Sequence, residues 1–309
     1  MKQKKAQKRI SLAALSSPTI PEAIVYFLTT KRAENVGKRS LKLYEYHLGH
    51  FAEFAESEGI SLIENVNSFV ISAYLASVAD NWKPSTCHIA FRTLRTFTYW
   101  YEDFTDGDYK SPCRKLHAPK IPKNKKPTVD VDDFRALLSG CIGKNAVRDK
   151  ALLLFAFDSA MRKNEIRELN IENVNLITGR VEILHGKGDK FGITYVTAPT
   201  LRALRAYLKT RSVARGEGPL FATSTGTRLT IRGLSSILMR IQQRAGINVH
   251  GFHSFRRGFG TEFIRNGGDL STLQKIYRHS DVSTTISYLG LTDDDITRAH
   301  NAASPVARL

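Results

Sequence analysis

The sequence predicts a mainly α-helical protein with one small β-hairpin, divided into an all-α N-terminal domain and a mixed α/β C-terminal domain. Three observations support this fold class. Apolar residues recur at helical spacing through most of residues 17–105. A basic, proline-rich stretch over residues 106–127 interrupts that pattern. Two alternating runs flank a glycine-rich centre within residues 180–196, which is typical of a β-hairpin.

The N-terminal domain, residues 17–105, is predicted to contain four helices with short connections. Pro21 and Pro84 fit the first turns of the first and fourth helices, because a helix start leaves its N–H groups unpaired. Asn67 precedes the third helix. The main apolar positions of the four helices are Phe27; Leu41, Tyr44, Leu48, Phe51 and Phe54; Phe69, Val70, Tyr74, Leu75 and Val78; and Ile89, Leu94, Phe97, Trp100 and Tyr101.

The net charge limits the choice of partner. The chain has 309 residues and a formal net charge of +17, with a sequence pI near 9.8. Such a charge indicates an anionic polymer or an acidic membrane surface. No apolar run approaches the roughly 18 residues that a spanning helix requires. Residues 1–16 form a basic tail, predicted to be disordered, without the apolar core of a secretory signal. We therefore expect a cytoplasmic protein.

Neither a disulfide framework nor a metal site is predicted. Cys87, Cys113 and Cys141 are odd in number and far apart, so we interpret them as reduced thiols. His250 and His253 have the spacing of metal ligands, but no Asp, Glu or Cys nearby completes a coordination shell. We expect no metal and no cofactor.

Residues 106–127 carry four prolines and a dense set of lysines and arginines. Proline favours extended backbone, so a tether between the two domains is predicted. Its basic residues, among them Lys123 and Lys125, fit a strap along a phosphate backbone or a plain charged linker. The sequence leaves both interpretations open.

The C-terminal domain is predicted over residues 128–290. Its central run, residues 145–160, is apolar on nearly all sides and should form a buried helix that leads directly to Arg162. The hairpin presents Lys187 near its tip, and its sequence lacks the motif of a phosphate-binding P-loop. Further helices are predicted over residues 199–210, 231–245 and 253–266. Thr292 is a good N-cap for a last helix in the tail, residues 291–309.

Four side chains late in the chain form a set that suits chemistry on a phosphodiester. His253 and Arg256 are three residues apart in a helical pattern, so they share a face. His279 and Tyr288 follow. A guanidinium binds phosphate oxygens, and a phenol supplies a nucleophilic oxygen. A His with an Arg three residues later is more often part of a solvated face, so the pair alone supports no function.

The patterns H-x-x-R at His253 and R-H-S-D-V-S-T-T-x-x-Y ending at Tyr288 resemble the signature of the tyrosine recombinase, or phage integrase, family, with an Xer-like layout. The sequence pattern A-M-R-x-x-E, which ends at Glu165, resembles the family's first arginine motif. The resemblance implies a helical core-binding domain followed by a mixed α/β tyrosine-recombinase catalytic domain. It is strongest from Arg162 onward.

The resemblance also implies the catalytic residues. They are Arg162, Lys187, His253, Arg256, His279 and Tyr288, with Glu165 in a supporting position. Lys190 is the alternative to Lys187 as the general acid. Without the family, Arg162 and Glu165 would be a surface ion pair worth under about 1 kcal/mol, and a lysine at a hairpin tip would serve solubility.

The activity implied is site-specific DNA recombination through a 3′-phosphotyrosine intermediate, without metal or ATP. The partners implied are double-stranded DNA with a specific recombination site, three further copies of the chain in a homotetramer, and accessory DNA-bending proteins; no membrane is implied, and the expected location is the nucleoid. Integration, excision and dimer resolution all remain open as outcomes. The alternatives are type IB topoisomerase-like DNA relaxation and a DNA-binding protein without catalysis.

Other basic residues are candidates for DNA contact, although ordinary solvated charges explain them nearly as well. They are Lys42, Arg92 and Arg95 in the N-terminal domain and Arg240 and Arg244 on the helix over residues 231–245, which fits a major groove. The chain departs from the family at Tyr277 and Arg278, where relatives often have Leu-Gly. The tail helix docks either on a neighbouring protomer or on its own domain.

Overall fold

A computed structural model of the chain describes residues 17–122, 127–184, 191–211, 218–304 and 306. The chain divides into two compact units, Met1–Asn124 and Lys125–Leu309. In the described ranges the backbone is mainly helical with one two-stranded sheet, which confirms the predicted fold class. None of the described helices has the length and apolar character needed to cross a membrane.

The N-terminal unit is built from four helices around an aromatic core. The helices are α1 (Ile20–Ala33), α2 (Lys38–Ser57), α3 (Ser68–Ala79) and α4 (Pro84–Phe104). The ring of Phe27 is fully buried and lies 5.3 Å from Tyr44 and 5.5 Å from Phe97. Such tilted and edge-to-face ring pairs add to the hydrophobic free energy of burial. Helices α1, α2 and α4 are therefore held together at this ring.

The first half of the predicted tether is instead packed into the N-terminal unit. Tyr109 and Cys113 are buried in its core, and a short 3₁₀ turn spans Pro112–Lys115. The Glu102 carboxylate accepts hydrogen bonds from the Ser111 backbone N–H at 3.0 Å and from the Arg114 Nη2 at 2.9 Å. Proline content indicated an extended chain, but these contacts hold the segment in place. Lys123 and Lys125 lie outside the described residues.

The C-terminal unit is organised around one buried helix, α6 (Ala146–Asp158). Leu152, Leu153 and Phe155 on this helix have no solvent exposure. Two later helices pack against it. The described helices of this unit are α5 (Val131–Ser139), α6, α7 (Lys163–Glu168), α8 (Ala198–Lys209), α9 (Ile231–Ala245), α10 (Phe252–Arg265), α11 (Leu270–Tyr277), α12 (Val282–Ile286) and α13 (Asp293–Ala303). The two later helices that pack against α6 are α8 and α10, and the preceding helix α5 also contacts it.

The sheet is an antiparallel pair, β1 (Arg180–Ile183) and β2 (Gly192–Tyr195), with Ile183 opposite Gly192 at the connecting end. The connection, residues 185–190, contains Lys187 and Lys190 and lies outside the described residues.

Helix α10 approaches the start of the unit so closely that one of its positions requires glycine. A Cβ at Gly258 would lie 2.0 Å from the Val129 carbonyl oxygen and 3.1 Å from the Phe157 ring. The Val129 backbone N–H donates to the Ser254 carbonyl of the same helix at 3.3 Å, so the Val129 backbone cannot withdraw freely. The backbone contact that positions α10 therefore requires a residue without a side chain at position 258.

We predict that Gly258→Ala lowers the free energy of unfolding of the C-terminal unit by about 1–3 kcal/mol, because the added methyl group overlaps a fixed carbonyl. Calorimetric unfolding measures this. The matched control is Gly49→Ala on α2, where an added Cβ meets nothing within 4 Å. The control should be neutral or stabilising by about 0.5–1 kcal/mol. Equal stability of the Gly258→Ala variant and the original chain would contradict the close approach.

Candidate active site

Arg162 lies at the end of a sharp turn between α6 and α7. Ala160 adopts a left-handed conformation with φ of 51°, and Arg162 is the N-cap of α7. The Glu165 carboxylate accepts from the Arg162 backbone N–H and from its Nη1, each at 2.9 Å. The Glu165 side chain is only 3% exposed, so the pair is not the surface ion pair that its spacing also fits. Arg162 is thereby fixed at both its backbone and its guanidinium.

Arg256 lies at the centre of the site and is completely buried. Its Nη1 donates to the Ala160 carbonyl at 2.5 Å, and its Nη2 donates to the Tyr277 carbonyl at 2.6 Å. Its Nε has no hydrogen-bond partner among the described residues. Burial first, and the charge of Arg162 next, lower the pKa of Arg256 to about 10. The guanidinium is thus a charged group that still has a free donor.

His279 is held as a neutral imidazole between two partners. Its Nε2 lies 3.2 Å from Arg256 Nη2, and its Nδ1 lies 2.9 Å from the Thr285 hydroxyl. A guanidinium can only donate, so Nε2 accepts, and Nδ1 carries the proton and donates to Thr285. Burial, followed by the charges of Arg256 and Arg162, lowers the pKa of His279 to about 4. The ring is therefore uncharged at neutral pH.

Tyr288 lies against the same cluster. Its ring centroid is 5.3 Å from that of His279 and 5.9 Å from the Arg256 Cζ. The side chain is half-buried, and its backbone N–H donates to the Thr285 carbonyl just after α12. Three of the residues singled out from the sequence, Arg256, His279 and Tyr288, are thus in mutual contact.

His253 is on the first turn of α10 and is exposed. Its pKa is lowered by partial burial and then by the charges of Arg257 and Arg256. His253 and Arg256 are three residues apart on α10, so they share a face of that helix. A lowered pKa leaves the ring neutral, and a neutral imidazole can accept a proton.

The remaining predicted residues either lie outside the described part of the chain or are exposed. Lys187 and its alternative Lys190 lie outside the described residues, as do Lys123 and Lys125. The other candidates for DNA contact are exposed: Lys42, Arg92, Arg95, Arg240 and Arg244. Arg244 also donates to the Ile142 carbonyl at 3.2 Å. Over the described ranges, no group of three or more His, Cys, Asp or Glu side chains could hold a metal ion.

Three residues of the site were not assigned a role from the sequence. Tyr277 is fully buried, donates its hydroxyl to the Arg256 carbonyl, and places its ring 4.2 Å from the Arg256 Cζ. Arg278 donates to Glu165 Oε2 at 2.6 Å. Thr285 is the partner of His279. The sequence signal for the first two was their departure from the family pattern.

Comparison with protein families gives one match that spans most of the C-terminal unit. The profile described as "Phage integrase family" matches residues 127–294. Among curated proteins, the tyrosine recombinase XerC of Pelobacter propionicus is 26% identical over 296 residues, covering 94% of this chain and 97% of the relative. XerC of Azotobacter vinelandii is 31% identical over 204 residues, covering 64% of this chain and 67% of the relative.

Solved structures show the same fold. XerH recombinase bound to a palindromic difH substrate superposes with a TM-score of 0.70 at 23% identity, covering 88% of this chain and 82% of that one. A lambda integrase dimer bound to a COC′ core site gives 0.72 at 14% identity, covering 88% and 77%. The Tn1549 transposon integrase with a circular intermediate DNA gives 0.73 at 15% identity, covering 93% and 100%.

We predict that the His279 imidazole of the DNA-free protein is neutral at pH 7, protonated at Nδ1, and takes up a second proton only as the pH falls towards 4. Burial and the neighbouring guanidinium groups disfavour the imidazolium. Nitrogen-15 NMR of the histidine rings measures both the tautomer and the titration midpoint, and His279→Gln identifies the signal. A midpoint near 6.5, or an Nε2–H tautomer, would contradict the arrangement.

Proposed function

The chain belongs to the phage integrase family, and from this membership we propose that it is a site-specific DNA recombinase that cleaves and rejoins strands through a 3′-phosphotyrosine. The Xer relatives align over nearly their full length, which favours recombination over topoisomerase-like relaxation or DNA binding without catalysis. Integration, excision and dimer resolution share this chemistry.

The observation that carries the proposal is the contact of a phenol, an imidazole and a buried guanidinium in one cluster. Arg256 is on α10, His279 lies in the loop after α11 and Tyr288 lies in the turn after α12. Their groups nevertheless lie within 6 Å of one another. The Arg256 Nη1 also binds the turn that presents Arg162. A phosphate bound here would meet two guanidinium groups and one nucleophilic oxygen.

In the proposed reaction the Tyr288 oxygen attacks phosphorus and forms a new P–O bond while the bond to the 5′-oxygen breaks. Phenols ionise near pH 10, so attack at neutral pH needs nearby cations and a proton acceptor. Arg162 and Arg256 supply positive charge. His253, neutral because of its lowered pKa, accepts the phenolic proton.

The leaving 5′-oxygen must gain a proton, and we assign that step to Lys187, with Lys190 as the alternative. The phosphotyrosyl bond retains the energy of the cleaved phosphodiester, so attack by another 5′-hydroxyl restores the DNA without ATP. Charge on the five-coordinate phosphorus is balanced by the two guanidinium groups, so the residue set works without a metal.

Because Arg256 is wholly buried, phosphate binding requires a change in its contacts. The Nε–H, which has no partner among the residues that the structure describes, is a ready donor to a phosphate oxygen. If Nη2 also turns to the phosphate, His279 Nε2 loses its donor. The Thr285 hydroxyl can then donate to Nδ1, so that Nε2 carries the proton and donates to the phosphate. This tautomer change lets a neutral His279 support the transition state.

DNA is the proposed partner, and both units contribute exposed basic side chains. Lys42, Arg92 and Arg95 are on α2 and α4, and Arg240 and Arg244 are on α9. The solved relatives include recombinases bound to their DNA sites. Strand exchange between two duplexes requires four nucleophiles, so we propose a homotetramer on DNA, with DNA-bending proteins as accessory partners. The segment that includes Lys123 and Lys125 is assigned to the phosphate backbone.

We predict that Tyr288→Phe abolishes covalent attachment to DNA while duplex binding persists, because only the nucleophilic oxygen is removed. A nicked suicide substrate traps the product, which denaturing gels resolve. The control is Tyr195→Phe, since Tyr195 is an exposed tyrosine on β2. It should form the covalent product as the original chain does. Undiminished product from Tyr288→Phe would refute the assignment of the nucleophile.

A further inference from the structure

Arg278 adopts a backbone conformation that its side chain disfavours. It is the C-cap of α11, with φ of 55° and ψ of 43°, in the left-handed region. Glycine adopts this region readily, whereas a residue with a Cβ does so against its preference.

The Arg278 side chain joins strand β2 to the buried Glu165 carboxylate. Its Nη2 donates to Glu165 Oε2 at 2.6 Å, and its Nη1 donates to the Ile276 carbonyl at 3.1 Å. Its aliphatic part lies on Gly192, where an added Cβ would be 2.3 Å from the Arg278 Cδ. The side chain is only 16% exposed. Both terminal nitrogens are occupied, so the guanidinium is directed at Glu165 rather than at solvent.

Glu165 connects Arg278 to Arg162. One carboxylate accepts from Arg278 and from both the backbone N–H and the Nη1 of Arg162. Burial by itself raises the pKa of Glu165, but the charge of Arg278 and the hydrogen bonds from Arg162 outweigh it and lower the pKa. The charge of Glu165 also acts on Arg256, whose pKa it raises against the larger lowering by burial. Without Arg278 the buried carboxylate would retain fewer charged donors.

We propose that Arg278 is a positioning residue, which orients the ionised Glu165 carboxylate and through it holds the Arg162 guanidinium ready for the phosphate. The inference rests on the proposed recombinase function and adds a residue to it. In this role Arg278 acts through Glu165 and does not itself bind the phosphate or the nucleophile. Gly192 is part of the arrangement, because only glycine leaves room for the arginine to cross β2.

The test uses the full chain and a nicked duplex substrate, and it measures the single-turnover rate of covalent complex formation against pH. Arg278→Gly relieves the backbone strain and removes the guanidinium. We expect a loss of about 10- to 100-fold in rate near pH 7, as for a misplaced catalytic group. The acid limb of the pH profile should move to higher pH, because Glu165 protonates more easily. Arg278→Lys keeps the charge and should restore the acid limb.

A purely structural role would change the melting temperature and leave the pH profile alone. Gly192→Ala separates the two roles further, since it displaces the Arg278 side chain and removes no charged group. It should slow the reaction in the original chain and have no further effect in the Arg278→Gly background. An additive loss there, or an original rate and pH profile for Arg278→Gly, would overturn the inference. Failure of the original chain itself to form the covalent complex would instead overturn the proposed function.

Discussion

The buried guanidinium of Arg256 is the group on which the geometry of the C-terminal site depends. It binds the Ala160 carbonyl with one nitrogen and the Tyr277 carbonyl and His279 with another. A buried donor without a partner costs about 1–3 kcal/mol, so these bonds are not easily given up. The turn before Arg162 and the end of α11 are therefore held against the same side chain. Tyr288 and His279 contact this guanidinium, and the turn that it binds leads directly to Arg162.

Backbone features that carry no chemistry of their own make this burial feasible. Gly258 and Gly260 let α10 approach its neighbours, and a Cβ at Gly260 would lie 2.1 Å from the Tyr277 hydroxyl. Ala160 and Arg278 each adopt left-handed backbone at the points where the chain turns into the site. Strain of this kind persists only where surrounding contacts over-determine it. Here those contacts are made by Arg256 and Glu165, so the strain and the site support each other.

The helices and the hairpin could be predicted because their apolar periodicity is local. The buried helix α6 is an example, since its composition alone indicated a helix that is buried on most sides. The packing of the segment around Tyr109 and Cys113 could not be predicted. Proline and lysine content indicates the local backbone conformation, and it does not show which core the segment packs against. The role of Glu165 is a similar case. An i, i+3 spacing from Arg162 fits an exposed pair and a buried one equally, and burial is decided by tertiary packing. The contact of Arg278 with Glu165 could not be predicted for the same reason, since the two residues are 113 positions apart in the chain.

The central claim is that the Arg162 and Arg256 guanidinium groups bind one DNA phosphate beside residue 288. A crystal structure of the Tyr288→Phe chain with an uncut duplex tests it most directly. We expect one phosphate that accepts hydrogen bonds from both arginines, with the ring of residue 288 next to its phosphorus and His279 Nε2 turned towards it. A complex in which Arg256 keeps only its bonds to Ala160, Tyr277 and His279, while every phosphate lies elsewhere, would contradict the claim.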